Sequence, residues 1–513
     1  MQILPRSAPM RALRSLPSTS LSSQATSICA SCRLRQYQQL RLPQQRQRQC
    51  RSFTSSIPRR ESRSTEAIYS APTGSLPTIG HARLRSRRLI SISGSDAPRF
   101  LQGLVTMSIV EWGNGHGNNK NENKNRGHKG AVDESVHWFY GGFLNAQGRV
   151  LHDVFIYPMP PLGSDSSSGS GSGGEEKPHF MIEVDAAQQL TLLTHLKRYK
   201  LRSKVSLRAV DEHEMTVWQV WQEDHDYENP RLATEAITRV ITSPAQTPLG
   251  HDMTVVIPDL RAPGMGHRVL TTAAELDVHD GLGGDFAIGE PERPAKPVDE
   301  LVYRIRRYLR GVPEGSAEIN PTHALPMEHN LDVMGGIDFR KGCYVGQELT
   351  IRTRHRGVVR KRVLPVVLYG DSNDVPKPAA LEYRPDAIPA TLAAAGEGEG
   401  GIVDLRYKTI GRLEKKGRGT GMLLGTVGNI GLALCRVPIM TDLIVPNDNS
   451  ALEYDPEAEF VVRKEAKATS SEDDGGNERE REDGEEVEAP PLKVKAFVPE
   501  WLRRRVGEDP LER

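Results

Sequence analysis

Three internal stretches are too polar to join a hydrophobic core, and their positions decide where this chain can fold. Residues 113–130 are mostly Asn, Gly, Lys and His, residues 164–176 are mostly Ser and Gly, and residues 470–488 are rich in acidic side chains. Such segments cannot bury enough apolar surface to offset the entropy lost on ordering. We therefore expect disordered insertions at all three positions. The hydrophobic share of 37%, low for a globular chain of 513 residues, agrees with this.

The amino terminus has a composition of its own. Residues 1–60 contain eleven arginines and neither lysine nor acidic residues. This composition is typical of a mitochondrial transit peptide. Because Arg51-Ser52-Phe53 resembles a matrix-processing site, we predict that residues 1–53 direct the chain to the mitochondrial matrix. The alternative, a basic tail that binds nucleic acid or an acidic surface, is disfavoured by the complete lack of acids.

Neither nucleic acid nor a membrane is expected as a partner. The whole chain has a net charge of +1, so residues 61–513 are mildly acidic once the eleven amino-terminal arginines are set aside. The sequence also lacks a run of about 18 apolar residues, the length needed to cross a bilayer. These observations favour a soluble protein that recognises proteins or small molecules.

Removal of the transit peptide would leave two of the five cysteines, Cys343 and Cys435. Two thiols so far apart do not indicate a disulfide framework. They are also too few for a structural zinc site or a self-contained iron–sulfur cluster. Since Cys435 lies in an apolar strand pattern, we predict an inert core thiol there. Cys343 is then the candidate reactive thiol.

One short motif, Lys341–Glu348 (KGCYVGQE), surrounds this thiol with residues suited to chemistry. Glycines on both sides permit a tight turn and the close approach of a ligand. Positive charges at Arg340 and Lys341 favour the thiolate, which is the reactive form of Cys343. We therefore predict an accessible thiol that contacts a cluster or takes part in thiol exchange. The same residues also fit a half-buried structural thiol, with Tyr344 in the core.

The periodicity of apolar residues predicts the elements of the amino-terminal half. Strands are predicted at 89–93, 137–144, 149–157, 180–184, 205–210 and 215–220, and helices after Asp96, at 186–200 and at 298–309. This order predicts an α+β fold of antiparallel sheet with helices on one face. In the last helix we expect Arg304, Arg306, Arg307 and Arg310 on a solvated face, with contact to an anionic ligand or acidic partner as the alternative.

Residues 351–368 alternate and are rich in β-branched side chains, so they predict one long strand or a hairpin broken at Gly357. On such a strand Arg352, Arg354 and Arg356 would share one side. Like charges on one face favour an anionic ligand or partner. Farther along, insertions are predicted at 376–401 and 406–419, and strands at 421–438.

Two motifs upstream of the thiol complete a recognisable set, YLRGVPEG at 308–315 and ALPMEHNL at 324–331. Together with KGCYVGQE they resemble the YgfZ branch of the GcvT (aminomethyltransferase, folate-binding) superfamily, and within it the mitochondrial iron–sulfur cluster assembly factors of the Iba/Caf type. The resemblance extends, with interruptions, from about Arg88 to Trp501.

The resemblance implies a fold and its boundaries. It is a GcvT/YgfZ-like α+β fold, with antiparallel-sheet subdomains around a central cleft and a carboxy-terminal β-barrel. Residues 68–348 would form the folate-binding-type α+β region, which contains the insertions at 113–130 and 164–176. Residues 349–505 would form the barrel, interrupted by the acidic insertion at 470–488.

The resemblance also implies an iron–sulfur function. Such a protein would help to mature [4Fe-4S] proteins in the matrix, among them aconitase and the radical-SAM lipoate and biotin synthases, together with A-type iron–sulfur carrier proteins. Because one thiolate cannot hold a cluster alone, Cys343 would be one ligand of a transient cluster shared with a partner. Tetrahydrofolate is the other cofactor implied. The candidate ligand-binding residues are Asp153, Glu328, Lys341, Tyr344, Gln347, Glu348 and Arg352.

Two alternatives stay open, so the sequence leaves undecided whether the chain is an enzyme. A tetrahydrofolate-dependent one-carbon transferase would use Asp153 to orient an amine and Glu328 to contact the pterin. The superfamily's transferases carry an acidic pair on this hairpin, whereas His152 and Asp153 stand here, which counts against transfer. The other alternative is a non-catalytic scaffold that docks a protein through the motif around Cys343.

Overall fold

The structure is a computed structural model, and it describes residues 76–109, 139–162, 177–223, 239–244, 251–273, 276, 289–290, 293–370, 376–385, 405–414, 419–449, 454–463 and 491–507. The helices are α1 (Ala97–Gln102), α2 (Gln189–Lys200), α3 (Glu300–Arg310), α4 (Gln347–Arg356), α5 (Val437–Met440) and α6 (Glu500–Gly507). The strands are β1 (Ile79–Arg83), β2 (Arg87–Ser93), β3 (Phe139–Leu144), β4 (Val150–Leu162), β5 (Lys177–Asp185), β6 (Ser206–Val210), β7 (Thr216–Gln222), β8 (Arg239–Pro244), β9 (His251–Pro258), β10 (His267–Thr271), β11 (Gly289–Glu290), β12 (Arg293–Pro294), β13 (Lys296–Pro297), β14 (Lys361–Tyr369), β15 (Thr409–Arg412), β16 (Gly421–Val427), β17 (Ile430–Arg436), β18 (Phe460–Val462) and β19 (Lys493–Ala496).

The first sheet has five antiparallel strands in the order β3-β4-β5-β2-β6. Alternation along the strands places Ile90 and Ile182 on one face, where they share a core with Leu192 and Leu196 of α2. The predicted strands at 89–93, 137–144, 149–157, 180–184 and 205–210 are confirmed as β2 to β6, within the ends that the structure describes.

The second sheet has six strands in the order β13-β1-β7-β10-β9-β8, and its neighbouring strands are antiparallel except for β1 and β13. Helix α3 contacts β1 of this sheet and also β14 and β17. An aspartate, Asp299, caps the helix by accepting a hydrogen bond from the Leu301 amide, and Gly311 ends it in a left-handed conformation. The helix thus connects the second sheet to the carboxy-terminal part.

The carboxy-terminal part is a closed six-stranded barrel in the order β14-β17-β16-β15-β18-β19, with β19 pairing back to β14. The predicted barrel is therefore confirmed, as is the α+β class with antiparallel sheets. Strand β15 corrects the insertion predicted at 406–419, because Thr409–Arg412 pairs with both β16 and β18. The segment has too few apolar residues to be predicted as a strand, although the barrel needs this strand for closure.

The long strand predicted from Ile351 is wrong in its first part, because residues Gln347–Arg356 form helix α4 and the strand begins only at Lys361. Residues two apart on a helix point in directions roughly 200° apart. The predicted shared side of Arg352, Arg354 and Arg356 therefore does not exist. Arg352 and Arg356 are exposed, whereas Arg354 is half-buried.

The solvated face predicted for α3 is also wrong for two of its arginines. Arg306 and Arg307 are buried, and only Arg304 of the four is fully exposed. The physical reason is pairing: Arg307 donates two hydrogen bonds to Glu318, at 2.7 and 3.0 Å, and Arg306 pairs with Glu223. A paired arginine can be buried where an unpaired one cannot.

Several predictions fall outside the described residues: the transit peptide at 1–53 and the insertions at 113–130, 164–176 and 470–488. Within the described part of the chain, no helix has the length and apolar character needed to cross a membrane.

Candidate functional site

The thiol of Cys343 lies at the exposed end of a loop that leads into α4. Gly342 and Cys343 are both exposed, and a methyl group placed on Gly342 would meet no atom within 4 Å. The residues on either side behave differently, since Lys341 is half-buried and Tyr344 is buried. The loop therefore presents the thiol to solvent while its base is packed into the protein.

Lys341 anchors the loop to the segment after α1. Its ammonium group donates hydrogen bonds to the carbonyl oxygens of Gln102, Val105 and Met107 at 2.8, 2.6 and 2.8 Å, and lies 4.9 Å from the centroid of the Tyr344 ring. Burial lowers the pKa of Lys341 to about 7, while the nearby Asp338 carboxylate opposes that shift. All three ammonium donors are thus used within the protein.

Tyr344 and Gln347, both predicted as ligand-binding, make contacts within the same turn. The side-chain oxygen of Gln347 accepts a hydrogen bond from the Tyr344 amide at 3.1 Å. The Tyr344 hydroxyl lies 2.9 Å from the Thr350 hydroxyl oxygen, and Thr350 donates to the Gln347 carbonyl at 2.8 Å. These bonds fix the turn between the thiol and α4.

Sequence reasoning missed Asp338, which caps the loop. Its carboxylate accepts hydrogen bonds from the amides of Arg340 and Lys341, at 2.8 and 3.2 Å, while its own amide donates to the Thr106 carbonyl at 3.1 Å. An aspartate that accepts from the amide two residues ahead is the signal of an Asx turn. That signal was available in the sequence at Asp338.

Two glycines lock the loop against the β3–β4 hairpin. Gly346 has φ +83°, and a methyl group there would lie 2.4 Å from the Asn145 carbonyl oxygen. In the facing turn Gly148 has φ +79°, and its methyl group would lie 2.6 Å from the Cβ atom of Leu349. Only glycine permits this close approach of hairpin and helix at these backbone angles.

Helix α4 presents charged residues to solvent directly after the thiol loop. Glu348, Arg352, His355 and Arg356 are exposed, and Arg352 lies one helical turn from both Glu348 and Arg356. Arg352 and Arg356 have no carboxylate partner within the described parts of the chain. We call these four residues the α4 polar face. It begins at Glu348, five residues after Cys343.

The opposite side of α4 borders a cavity of about 130 Å³. Thr353 and Arg354 of α4 line it, together with Phe339, Arg362 and Arg505. The arginines are engaged by the protein: Arg354 lies over the Phe339 ring at 5.3 Å, and Arg505 donates to three backbone carbonyls. The cavity thus separates α4 from the barrel without offering free charged groups.

Asp153 is not part of the α4 polar face, because it is buried with only 2% of its surface exposed. One carboxylate oxygen accepts a hydrogen bond from the Gly315 amide at 3.1 Å, and the other lies 3.4 Å from Arg87. Burial raises the pKa of Asp153, and Arg87 opposes that shift. Asp153 is therefore not an exposed strand residue. Asp153 belongs to an internal network.

This buried charge network consists of four arginines and five acids that no sequence prediction had grouped: Arg87, Arg261, Arg268, Arg307, Asp153, Glu183, Asp259, Glu314 and Glu318. At its centre Glu314 accepts hydrogen bonds from Arg261, Arg268 and the Tyr303 hydroxyl, at 2.8, 2.7 and 2.7 Å. Burial opposes ionisation, but Arg268 and Arg261 outweigh it and hold the pKa of Glu314 well below its usual range.

Glu328, the other residue predicted to contact a pterin, lies at a different place. Its side chain is half-buried, and its carbonyl accepts a hydrogen bond from the Val363 amide of β14 at 2.9 Å. Burial raises the pKa of Glu328, while Lys361 and Arg149 oppose the shift. Its side-chain environment is therefore set by the barrel and the hairpin rather than by the buried charge network.

The described residues contain no cluster of three or more His, Cys, Asp or Glu side chains able to hold a metal ion. Cys435, the second described thiol, is fully buried in β17, and burial raises its pKa. Fold and loop together define an α+β protein with a barrel that offers one exposed thiol on an anchored loop. A metal bound at this thiol would need ligands from beyond the described residues.

Comparison with known proteins places the chain among relatives of similar length. It is 44% identical over 427 residues to the "Iron-sulfur cluster assembly factor IBA57 homolog, mitochondrial" of Pyricularia oryzae, a match that covers 83% of this chain and 86% of that protein. The proteins of the same name from Chaetomium globosum and Aspergillus oryzae are 39% and 38% identical, covering 93% and 95% of this chain and 92% and 91% of theirs. The chain belongs to the IBA57 family of mitochondrial iron–sulfur cluster assembly factors.

Two further comparisons add little to that assignment. The crystal structure of the glycine cleavage system aminomethyltransferase T from Bartonella henselae is similar with a TM-score of 0.45 and 10% identity, over 83% of this chain and 87% of that one. No protein-family model matches the chain.

Proposed function

We propose that this protein acts in mitochondrial iron–sulfur cluster assembly in the matrix, with Cys343 as one ligand of a cluster shared with a partner. Clusters of the [4Fe-4S] type would pass to apo-proteins such as aconitase and the lipoate and biotin synthases, and the partner would be an A-type carrier. The observation that supports this most is the exposed Cys343 on a loop whose base is fixed by Lys341.

The chemistry of the loop suits a shared ligand. A cluster needs several thiolates, and Cys343 is the only exposed thiol in the described part of the chain. The remaining ligands would come from the partner, so the cluster is cargo held between two proteins. A fixed loop limits the entropy lost when the partner binds, because the ligand is already in place.

The α4 polar face would help to orient the partner. Arg352 and Arg356 follow Cys343 by nine and thirteen residues and have no internal counter-ion among the described residues. An acidic surface on the partner would be steered towards them, which raises the association rate more than the final affinity. Arg352 therefore serves binding in this proposal, as the sequence also predicted.

A folate-dependent transferase is less well supported. The residues around Asp153 do not fit a pterin, because the depression lined by Asp153, His152 and Ser316 is too small to admit even a water molecule. Asp153 is in addition buried and engaged by Arg87 and the Gly315 amide. We therefore derive no step through tetrahydrofolate.

Anaerobic reconstitution of the chain with an A-type carrier would test the proposal. We expect the mixture to develop cluster absorption in the visible range and to activate apo-aconitase. Cys343→Ser should abolish both, whereas Cys435→Ser, which alters the buried thiol, should retain both if it folds. Equal behaviour of wild type and Cys343→Ser would exclude the shared-ligand role and favour the scaffold alternative.

A further inference from the structure

The end of α2 carries a dense group of positive charges on the surface. Lys197, Arg198, Lys200, Arg202 and Lys204 lie within eight residues, and all but the half-buried Lys200 are exposed. We call these five residues the α2 basic patch. Within the described residues none of the five side chains pairs with a carboxylate. The dipole at the carboxy-terminal end of α2 and the Asp96 carboxylate, which accepts a hydrogen bond from the Lys204 amide at 2.7 Å, offset part of this charge, and an external anion would offset the rest.

An exposed leucine projects from the middle of the patch. Leu201 is 86% exposed and has φ 45° and ψ −112°, a backbone conformation that side chains with a Cβ atom seldom adopt. Strained residues of this kind often mark binding positions. At the other end of α2, Leu190 is 69% exposed. Packing against the first sheet does not require either leucine, since Leu192 and Leu196 already fill that role.

We propose that the α2 basic patch and Leu201 form a contact for the surface of an anionic lipid bilayer. Clustered lysines and arginines bind anionic headgroups, and a projecting leucine adds apolar burial at the acyl boundary. The contact is peripheral, and it departs from the expectation of no membrane partner, which rested on the lack of a spanning segment.

The shape of the surface favours lipid over protein. The cavity of about 130 Å³ and the depression beside Asp153 do not include any residue of the patch. An acidic polypeptide would neutralise the cations but would also have to provide a recess that matches Leu201. A bilayer receives a projecting side chain at any point of its surface, so it needs no matching shape.

Co-sedimentation of residues 54–513 with vesicles would test the proposal, because the arginine-rich transit peptide predicted at 1–53 would itself bind anionic lipid. Vesicles of equimolar phosphatidylcholine and phosphatidylglycerol should bind the chain, vesicles of phosphatidylcholine alone should not, and added salt should weaken the binding. The double variant Lys197→Glu/Arg198→Glu should lose binding. Its matched control, Arg85→Glu/Arg304→Glu, reverses two exposed charges elsewhere and should bind as wild type does.

A second variant tests the leucine separately. Leu201→Asn keeps a residue that tolerates positive φ but removes the apolar side chain, so binding to anionic vesicles should weaken roughly tenfold. Circular dichroism would verify that each variant is folded. Equal loss of binding in both double variants, or no binding by wild type, would overturn the proposal. Binding of soluble polyglutamate but not vesicles, sensitive to Lys197→Glu/Arg198→Glu, would overturn it in favour of an acidic protein partner.

Discussion

The centre of the buried charge network offers a sharp test of what holds this fold together. Glu314→Gln keeps the size of the side chain but removes the charge that faces Arg261 and Arg268. Removing one partner of a buried ion pair costs about 3–5 kcal/mol, because a charge is left uncompensated. Arg261 keeps Asp259 at 2.7 Å and Arg268 keeps Glu183 at 3.1 Å. We therefore expect a loss near the lower end, about 3 kcal/mol.

Asp153→Asn is the matched control in the same network. Asp153 contacts one arginine of the network, Arg87, which also pairs with Glu183 at 2.7 Å, so Arg87 stays paired when the charge of Asp153 is removed. Its contact with Arg87 is long, at 3.4 Å, and an asparagine oxygen can still accept from the Gly315 amide. We expect this variant to lose no more than about 1 kcal/mol at neutral pH.

The pH dependence of the two variants should have opposite signs. Burial raises the pKa of Asp153 above its usual 3.8, so its contribution to stability is present at low pH and is lost as the pH rises through the folded-state pKa. Asp153→Asn should therefore gain stability relative to wild type as the pH rises. The pKa of Glu314 is lowered, so its contribution is present above its usual 4.5. The deficit of Glu314→Gln should then shrink as the pH falls well below that value.

Urea unfolding followed by tryptophan fluorescence and circular dichroism would measure these differences between about pH 2 and pH 8, a range that extends well below the usual carboxyl pKa values. The two probes should agree on each midpoint. Equal losses for Glu314→Gln and Asp153→Asn, or a larger loss for Asp153→Asn, would refute the central position of Glu314 in the network.

Three further predictions concern the thiol loop. Iodoacetamide should alkylate Cys343 in the native protein, whereas Cys435 should react only after unfolding, since it is fully buried and burial raises its pKa. Mass spectrometry would detect the labelled cysteines, and alkylation of Cys435 in the native protein would contradict the prediction. Gly346→Ala should lose more than about 2 kcal/mol in urea unfolding, from positive φ and overlap with a backbone oxygen, whereas Gly342→Ala, in open space, should be neutral. Lys341→Met leaves three carbonyls without their donor and should lower the free energy of unfolding by about 3 kcal/mol. It should also speed amide hydrogen exchange at Val345. Unchanged exchange would argue against Lys341 as the anchor.

The sequence predicted the first sheet well because its signals are local, whereas of the second sheet it predicted only β7. Each strand of the first sheet alternates between its two faces, and the turn at 145–148 carries a glycine where φ is positive. Such patterns depend only on neighbouring residues. The helix α4 was missed for a related reason, since Ile351 and Thr353 are β-branched and favour a strand locally. Tertiary packing of Gly346 against the hairpin favours a helix at this position instead.

The site was predictable in part. The exposure of Cys343 and the structural use of Tyr344 both lay within the range that the motif allowed. The burial of Asp153 and Arg307 could not be predicted from the motif, because a charged residue is placed in a core only by partners distant in sequence. Glu314 and Arg268 are 46 residues apart, yet they are 2.7 Å apart in the structure. No periodicity within one segment reports such a pair.

The β3–β4 hairpin gives the thiol loop and the buried charge network a common frame. Asp153 lies on β4 and belongs to the network. Strand β4 begins at Val150, three residues before Asp153, and the turn just before the strand contains Gly148, which packs on α4. A strand rises about 3.3 Å per residue, so the two contacts are roughly 15 Å apart along one stiff element. The network fixes the hairpin, and the hairpin holds the start of α4. An exposed thiol can therefore keep a defined position, although the loop that carries it has open space around Gly342.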